Sequence, residues 1–243
     1  QIWCMSEKQI KPATATNAVK TKSSTGDIAA FLKTAGATNP SGNGRLIFAL
    51  DATMSRQPTW DRAMTLQAAM FDSVATANSD QSALSVQLLY FRGVGECRAS
   101  KWVVNSAALR DLMTGIECRG GQTQIGKVLF HALKEQRNGK LDAMVFIGDA
   151  MEENVDLLCQ RAGELGMKGT RCFFFQEGSD GLTEKAFREM AKLTRGAYFK
   201  LGPNSAKELA ELLGAIAVYV KGGLRALESS SKSHDRKLLQ QIK

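Results

Sequence analysis

Asp51, Thr53 and Ser55 stand at alternate positions in the run Arg45-Leu-Ile-Phe-Ala-Leu-Asp-Ala-Thr-Met-Ser55. One carboxylate and two hydroxyls suit a small hard cation such as Mg²⁺, which takes oxygen ligands in an octahedral array. Residues 46–50 are continuously apolar and too short for a helix, so they read as a buried strand. The three oxygens then lie where that strand leaves its sheet. Open α/β sheets bind ligands just outside the carboxyl ends of their strands. A second apolar run, Met144-Val-Phe-Ile-Gly-Asp149, ends in another acid. Between the two runs, Gly120-Gly-Gln-Thr123 is a flexible turn that brings a further hydroxyl. Any one of these residues has a plainer use, because Asp, Ser and Thr at a strand end commonly cap the next helix. The ordered set of five is what points to a cation.

Positioning such a set requires an alternation of strands and helices, and the periodicity supplies one. A strand is expected at 46–51, a helix near 59–77 and a strand at 84–91. A shorter edge strand follows at 97–104, then helices at 106–113 and 124–135. Strands are expected at 143–148, 170–175 and 197–201, separated by helices at 154–165 and 181–194. The last helix, about 205–220, carries the stripe Ala206, Leu209, Ala210, Leu213, Ile216 and Val220. This order implies an α/β fold with a doubly wound, mostly parallel sheet flanked by helices, Rossmann-like in plan.

The chain of 243 residues can bury a large core, and no apolar stretch approaches the roughly 20 residues of a membrane-spanning helix. Its net charge of +8 is unevenly spread. Residues 1–43 hold five basic and two acidic residues, and residues 221–243 hold six basic and two acidic ones. The central part is nearly balanced, so the charge argues against a basic nucleic-acid face on the folded domain itself. The expected organisation is a flexible basic arm at 1–25, a short helix and loop at 26–43, one domain at 44–220 and a flexible basic tail at 221–243, whose end at 236–243 has the pattern for one or two amphipathic turns. Within the second segment the helix falls at 27–35. Residues 1–24 show no secretory signal, Met5 is expected to be the native start, and a cytoplasmic setting of bacterial type is expected. The five cysteines lack Cys-x-x-Cys spacing, which argues against zinc. Cys159 and Cys172 fall in apolar patterns and are expected to be buried thiols, while a meeting of Cys97 with Cys118 is left open. His131 reads as structural rather than as a ligand, and the Phe run 173–175 as core.

Three motifs in this order resemble the von Willebrand factor type A (VWA) domain and its metal-ion-dependent adhesion site. That family has Asp-x-Ser-x-Ser after the first strand, a Thr in a Gly-rich loop and an Asp ending the fourth strand. The matching segments are Asp51-Ala-Thr53-Met-Ser55, Gly120-Gly-Gln-Thr123-Gln-Ile-Gly126 and Phe146-Ile-Gly-Asp149. The likeness spans about residues 44–220. Thr53 stands for the usual first Ser, the Thr motif has an extra residue after the glycines, and Ala150 stands where the family often has Gly.

The resemblance implies that Thr53 and Ser55 bind Mg²⁺, Mn²⁺ or Ca²⁺ directly. Thr123 would bind directly or through water, and Asp51 and Asp149 would supply negative charge and orient the hydroxyls. Neutral ligands leave the cation under-neutralised, so its open position would take a carboxylate from a partner protein presenting Asp or Glu. The implied function is metal-dependent protein–protein interaction without catalysis. Glu152 and Glu153 would tune or block the rim, and Arg56 and Trp60 would offer partner contacts.

Other functions have weaker support. Gly121-Gln-Thr-Gln-Ile-Gly126-Lys127 has phosphate-loop spacing, but Val128 replaces the hydroxyl residue that would hold Mg²⁺. A Mg²⁺-dependent haloacid dehalogenase-like phosphatase would use Asp51 as nucleophile, but Thr53 replaces its usual general acid. A nucleic-acid-associated adaptor would act through the basic tails, with affinity falling steeply in salt.

Overall fold

Every apolar run named above, from 46–51 to 197–201, forms a strand of one six-stranded sheet. The computed structural model describes residues 44–56, 84–104, 106–202 and 206–242. The basic arm at 1–25, the segment 26–43 with its helix at 27–35, and the helix near 59–77 lie outside the described residues, as does Trp60.

The strands are β1 (Gly44–Asp51), β2 (Leu84–Arg92), β3 (Glu96–Val103), β4 (Ala143–Gly148), β5 (Arg171–Glu177) and β6 (Ala197–Leu201). Their spatial order is β3-β2-β1-β4-β5-β6. All neighbours run parallel except the edge strand β3, which returns antiparallel from β2 through a tight turn. The order reverses at β1, whose two neighbours are β2 and β4. That reversal opens a crevice at the carboxyl ends of β1 and β4, where open α/β sheets bind ligands.

The helices are α1 (Ser106–Thr114), α2 (Ile125–Asn138), α3 (Val155–Met167), α4 (Gly181–Leu193), α5 (Ala206–Ser229) and α6 (Ser233–Ile242). Side chains alternate faces along a strand, so a strand buried on both sides must be apolar throughout. β1 obeys this rule. Leu46, Phe48 and Leu50 pack with α1, α5 and α6, while Ile47 and Ala49 pack with α2, α3 and α4. Phe173 and Phe175 face the first layer and Phe174 the second, all fully buried, as expected of the Phe run. In the second layer Phe146 sits edge-on to Phe187 at 5.4 Å and lies stacked with Phe91 at 6.1 Å. Aromatic pairs in such geometry add roughly 0.5–1.5 kcal/mol each beyond their burial.

Two expectations are corrected. The flexible basic tail expected from 221 is helical here: α5 runs on to Ser229, and α6 folds back with Leu227, Leu238 and Ile242 buried against the sheet layer. The pair Gly222-Gly223 breaks the helix, and a second helical stretch carries on from it to Ser229. Gly223 takes a positive φ of 66° and kinks the chain, a conformation glycine adopts without steric cost. Cys159 is half-buried at the margin of the second layer rather than buried. Cys97 and Cys118 belong to opposite layers, so the sheet lies between them.

Candidate metal centre

β1 ends at Asp51, and the chain then turns through a short 3-10 segment, Met54–Arg56. Asp51 is buried, and its Oδ1 accepts the backbone N–H of Thr53 at 2.8 Å. That bond folds the chain back at once and sets the Thr53 hydroxyl beside that of Ser55. Thr53 Oγ1 and Ser55 Oγ are 3.1 Å apart. Adjacent ligands of an octahedral Mg²⁺ with bonds of about 2.1 Å are separated by about 3 Å. The two hydroxyls therefore have the spacing of neighbouring positions on one small cation.

The Thr123 loop is held over the end of β1 by backbone bonds. Arg119 N donates to Ala52 O at 3.1 Å, and Ala52 N donates to Phe91 O at 2.9 Å. Gln122 N reaches Gly93 O in the β2–β3 turn at 3.4 Å. Gly121 is obligatory at this crossing, because a Cβ there would lie 2.1 Å from Gly93 O. The extra residue between the glycines and Thr123 is absorbed in this approach, and Thr123 still reaches the site.

Asp149 follows β4, directly beside the end of β1. Its Oδ1 is buried and has no hydrogen-bond partner among the described residues. A buried carboxylate oxygen left in that state is costly, and a cation is one of the partners that removes the cost. A cavity of about 320 Å³ opens between Thr53, Ser55, Thr123 and Asp149, with Gly120 and Glu152 at its margin. The structure thus brings together four of the five expected side chains around one space. The fifth, Asp51, braces the loop from below.

Glu152 and Glu153 have structural work that the sequence reading left out. Glu152 and Thr123 are latched reciprocally. Thr123 N donates to Glu152 Oε2 at 3.3 Å, and Glu152 N donates to Thr123 Oγ1 at 3.1 Å. The second bond uses one lone pair of the Thr123 hydroxyl and leaves the other for a cation. Glu153 caps α2, its carboxylate accepting the N–H groups of Ile125 and Gly126, the latter at 2.9 Å. Burial pushes the Glu153 carboxyl above its ordinary value, and those backbone bonds oppose the rise. The sequence showed two acids just beyond Asp149 but not their partners, which lie 27–29 residues away along the chain. Met54, more than half exposed, also lines the cavity and was not expected there. Arg56 falls in the 3-10 turn beside the site.

The phosphate-loop reading fails on this geometry. The amides at the start of α2, which would cradle a phosphate, are occupied by the Glu153 carboxylate. Lys127 is turned aside, donating to Gly95 O at 3.0 Å and Gln124 Oε1 at 2.8 Å. His131 is structural, with Nε2 2.8 Å from Gln87 Oε1. Among the described residues, no three His, Cys, Asp or Glu side chains gather into a metal cluster. The candidate set is instead two carboxylates and three hydroxyls, the donors that small hard cations accept.

No protein-family model matches the sequence. No curated protein matches it at a significant level. Solved structures do. A von Willebrand factor type A protein from Catenulispora acidiphila superposes with a TM-score of 0.59 at 14% identity, over 74% of this chain and 43% of that one. An aerotolerance-related membrane protein from Bacteroides fragilis gives 0.54 at 17%, over 71% and 98%. Proximal thread matrix protein 1 from the mussel byssus, in a structure with a zinc-occupied metal-ion-dependent adhesion site, gives 0.52 at 16%, over 71% and 44%. The chain spans less than half the length of the Catenulispora and mussel proteins. At these identities the likeness concerns the fold, and the fold is that of a VWA domain: a mostly parallel six-stranded sheet between helices. Among the described residues no helix is long and apolar enough to cross a membrane.

Proposed function

We propose that this chain is a metal-dependent protein-interaction module. A divalent cation, Mg²⁺ in the first instance with Mn²⁺ or Ca²⁺ as substitutes, would be held by Thr53, Ser55 and Thr123, with Asp51 and Asp149 supplying charge. The carrying observation is Asp149, whose Oδ1 is buried without a partner among the described residues and which lines the same cavity as Thr53, Ser55 and Thr123. The two hydroxyls at octahedral spacing support the same reading. So does the zinc occupancy of the corresponding motif in the mussel structure.

Three neutral hydroxyls and two carboxylates leave a divalent cation with an open face toward solvent. An Asp or Glu side chain of a partner protein is the ligand that completes it, by a charge-assisted contact made only when both metal and partner are present. The exposed Met54 beside the cavity gives that partner an apolar foothold. In this reading the chain performs no chemistry of its own. Its work is to hold a partner carboxylate, and any cytoplasmic assembly it serves is selected by the loops around the metal.

The test is co-purification of interacting proteins with the tagged full chain in Mg²⁺, in excess chelator, and with Asp149→Ala. The expected result is a set of partners lost both on chelation and in the variant, and retained when residues 1–24 are deleted. Capture that survives chelation unchanged contradicts metal bridging. Capture that disappears with the basic arm and weakens steeply with salt indicates the nucleic-acid-associated alternative instead.

A further inference from the structure

A second cavity, of about 650 Å³, lies at the opposite end of the sheet, where β5 and β6 begin. Four cations line it: Arg171 at the start of β5, Arg188 and Lys192 on α4, and Arg195 in the turn before β6. Leu224 from α5 and Ile242 from α6 give it an apolar wall. Among the described residues no acidic side chain lines it. Its volume falls within the range of small-molecule sites, roughly 300–1,000 Å³.

Two of the cations, Arg171 and Arg188, are held in place, and Lys192 and Arg195 are exposed at the rim. Arg171 is half-buried, donates to the backbone carbonyl of Ile242 at 2.9 Å and to that of Arg195, and lies over the Tyr219 ring at 5.5 Å. Arg188 stacks on Tyr198 at 4.2 Å, with Glu184 bonded on one side at 2.9 Å. Among the described residues no ion pair neutralises Arg171, Lys192 or Arg195. Cations gathered in one concavity, three of them without an ion pair among the described residues, repel one another, and an anion joining them relieves that repulsion.

The backbone adds an independent observation. Arg195 has a φ of 53°, the positive-φ position after a helix where glycine is the usual residue. It is held there by Arg195 N to Lys192 O at 3.0 Å and Gly196 N to Ala191 O at 2.9 Å. The chain places a large cation where the backbone favours glycine, and the outcome is a guanidinium on the rim of the cavity. Non-glycine residues kept in this conformation concentrate at ligand sites.

We propose that this cleft binds a small anion carrying two or more phosphoryl groups. Guanidinium forks match phosphate oxygens in pairs, and three of the four cations are Arg. The charge is concentrated in a concavity, which fits a compact polyanion. An acidic peptide brings its charges one side chain at a time along about 3.5 Å of chain per residue, and a duplex needs an extended basic face. The cleft is remote from the metal centre, and each site is testable without the other.

The probe is inorganic tripolyphosphate, titrated calorimetrically into the full chain without added divalent cation. The expected result is saturable 1:1 binding, weakened tenfold or more in Lys192→Gln/Arg195→Asn and within twofold of wild type in Asp149→Ala. Asn tolerates positive φ and both changed side chains are exposed, so the double variant keeps its fold, checked by its melting temperature. Absence of saturable binding overturns the proposal, as does equal affinity in the double variant. Binding of duplex DNA or of phosphatidylglycerol vesicles that is lost in the double variant yet not displaced by saturating tripolyphosphate also overturns it, because the cations then serve an extended surface.

Discussion

A carboxylate oxygen sealed from water without a hydrogen bond weakens the fold that contains it, and Asp149 Oδ1 is such an atom among the described residues. Its presence makes a stability prediction with opposite signs in two buffers. In chelator, Asp149→Ala should melt at the same temperature as wild type or higher, since it removes an uncompensated buried group. In millimolar Mg²⁺ or Mn²⁺ only wild type should gain, by about 2.7 kcal/mol when the cation stands at 100 times its dissociation constant. A variant that melts well below wild type in chelator would show that the carboxylate braces the loops by itself. At this scale much was legible in the sequence. Asp51, Thr53, Ser55, Thr123 and Asp149 were named from residue type and order, and the fold brings the last four around one cavity. What the sequence did not disclose was the service of Glu152 and Glu153 as latch and cap. Those roles depend on a loop distant in sequence arriving at the same place.

At the scale of elements, α2 and β2 are joined by a side-chain bond between His131 and Gln87, and burial holds the His131 pKa below its ordinary value of 6.5. Glu135 opposes that shift and Lys134 adds to it. Because the folded pKa is the lower one, the unfolded chain binds the proton more readily between the two values. Stability from this group is therefore complete above about pH 6.5 and is lost as the pH falls toward the folded pKa. His131→Gln keeps a polar partner for Gln87 and has no such titration. Chemical denaturation at a series of pH values should give the variant a flatter profile below pH 6.5 than wild type. Parallel profiles would mean that His131 titrates alike in both states. The described elements followed the apolar periodicity closely, because parallel strands buried on both faces leave uninterrupted apolar runs such as 46–50 and 144–147. Ends were less legible. Gly222-Gly223 looks like a helix stop, and the helix does break there, but only the packing of Leu227 beyond it shows that a second helical stretch follows.

For the whole molecule, the carboxy-terminal segment is structural. Ser and Lys dominate its composition and suggest a solvated tail, yet Leu238 and Ile242 lie four apart on α6 and both are buried against the first layer. A stripe that short is lost in a polar average, which is why composition misjudged it. Leu238→Ala should destabilise the domain by about 2–5 kcal/mol, read from urea unfolding. A loss under about 0.5 kcal/mol would return the segment to the status of a tail. The molecule then has two cavities on one sheet, the proposed cation site where β1 and β4 finish and the proposed anion cleft where β5 and β6 start. The claim on which the interaction function depends is the first of these, and Mn²⁺ titration followed by electron paramagnetic resonance tests it directly. Wild type should show saturable binding of one Mn²⁺ per chain, and Asp149→Ala should show none. Equal, weak binding by both proteins would contradict the assignment of the metal site.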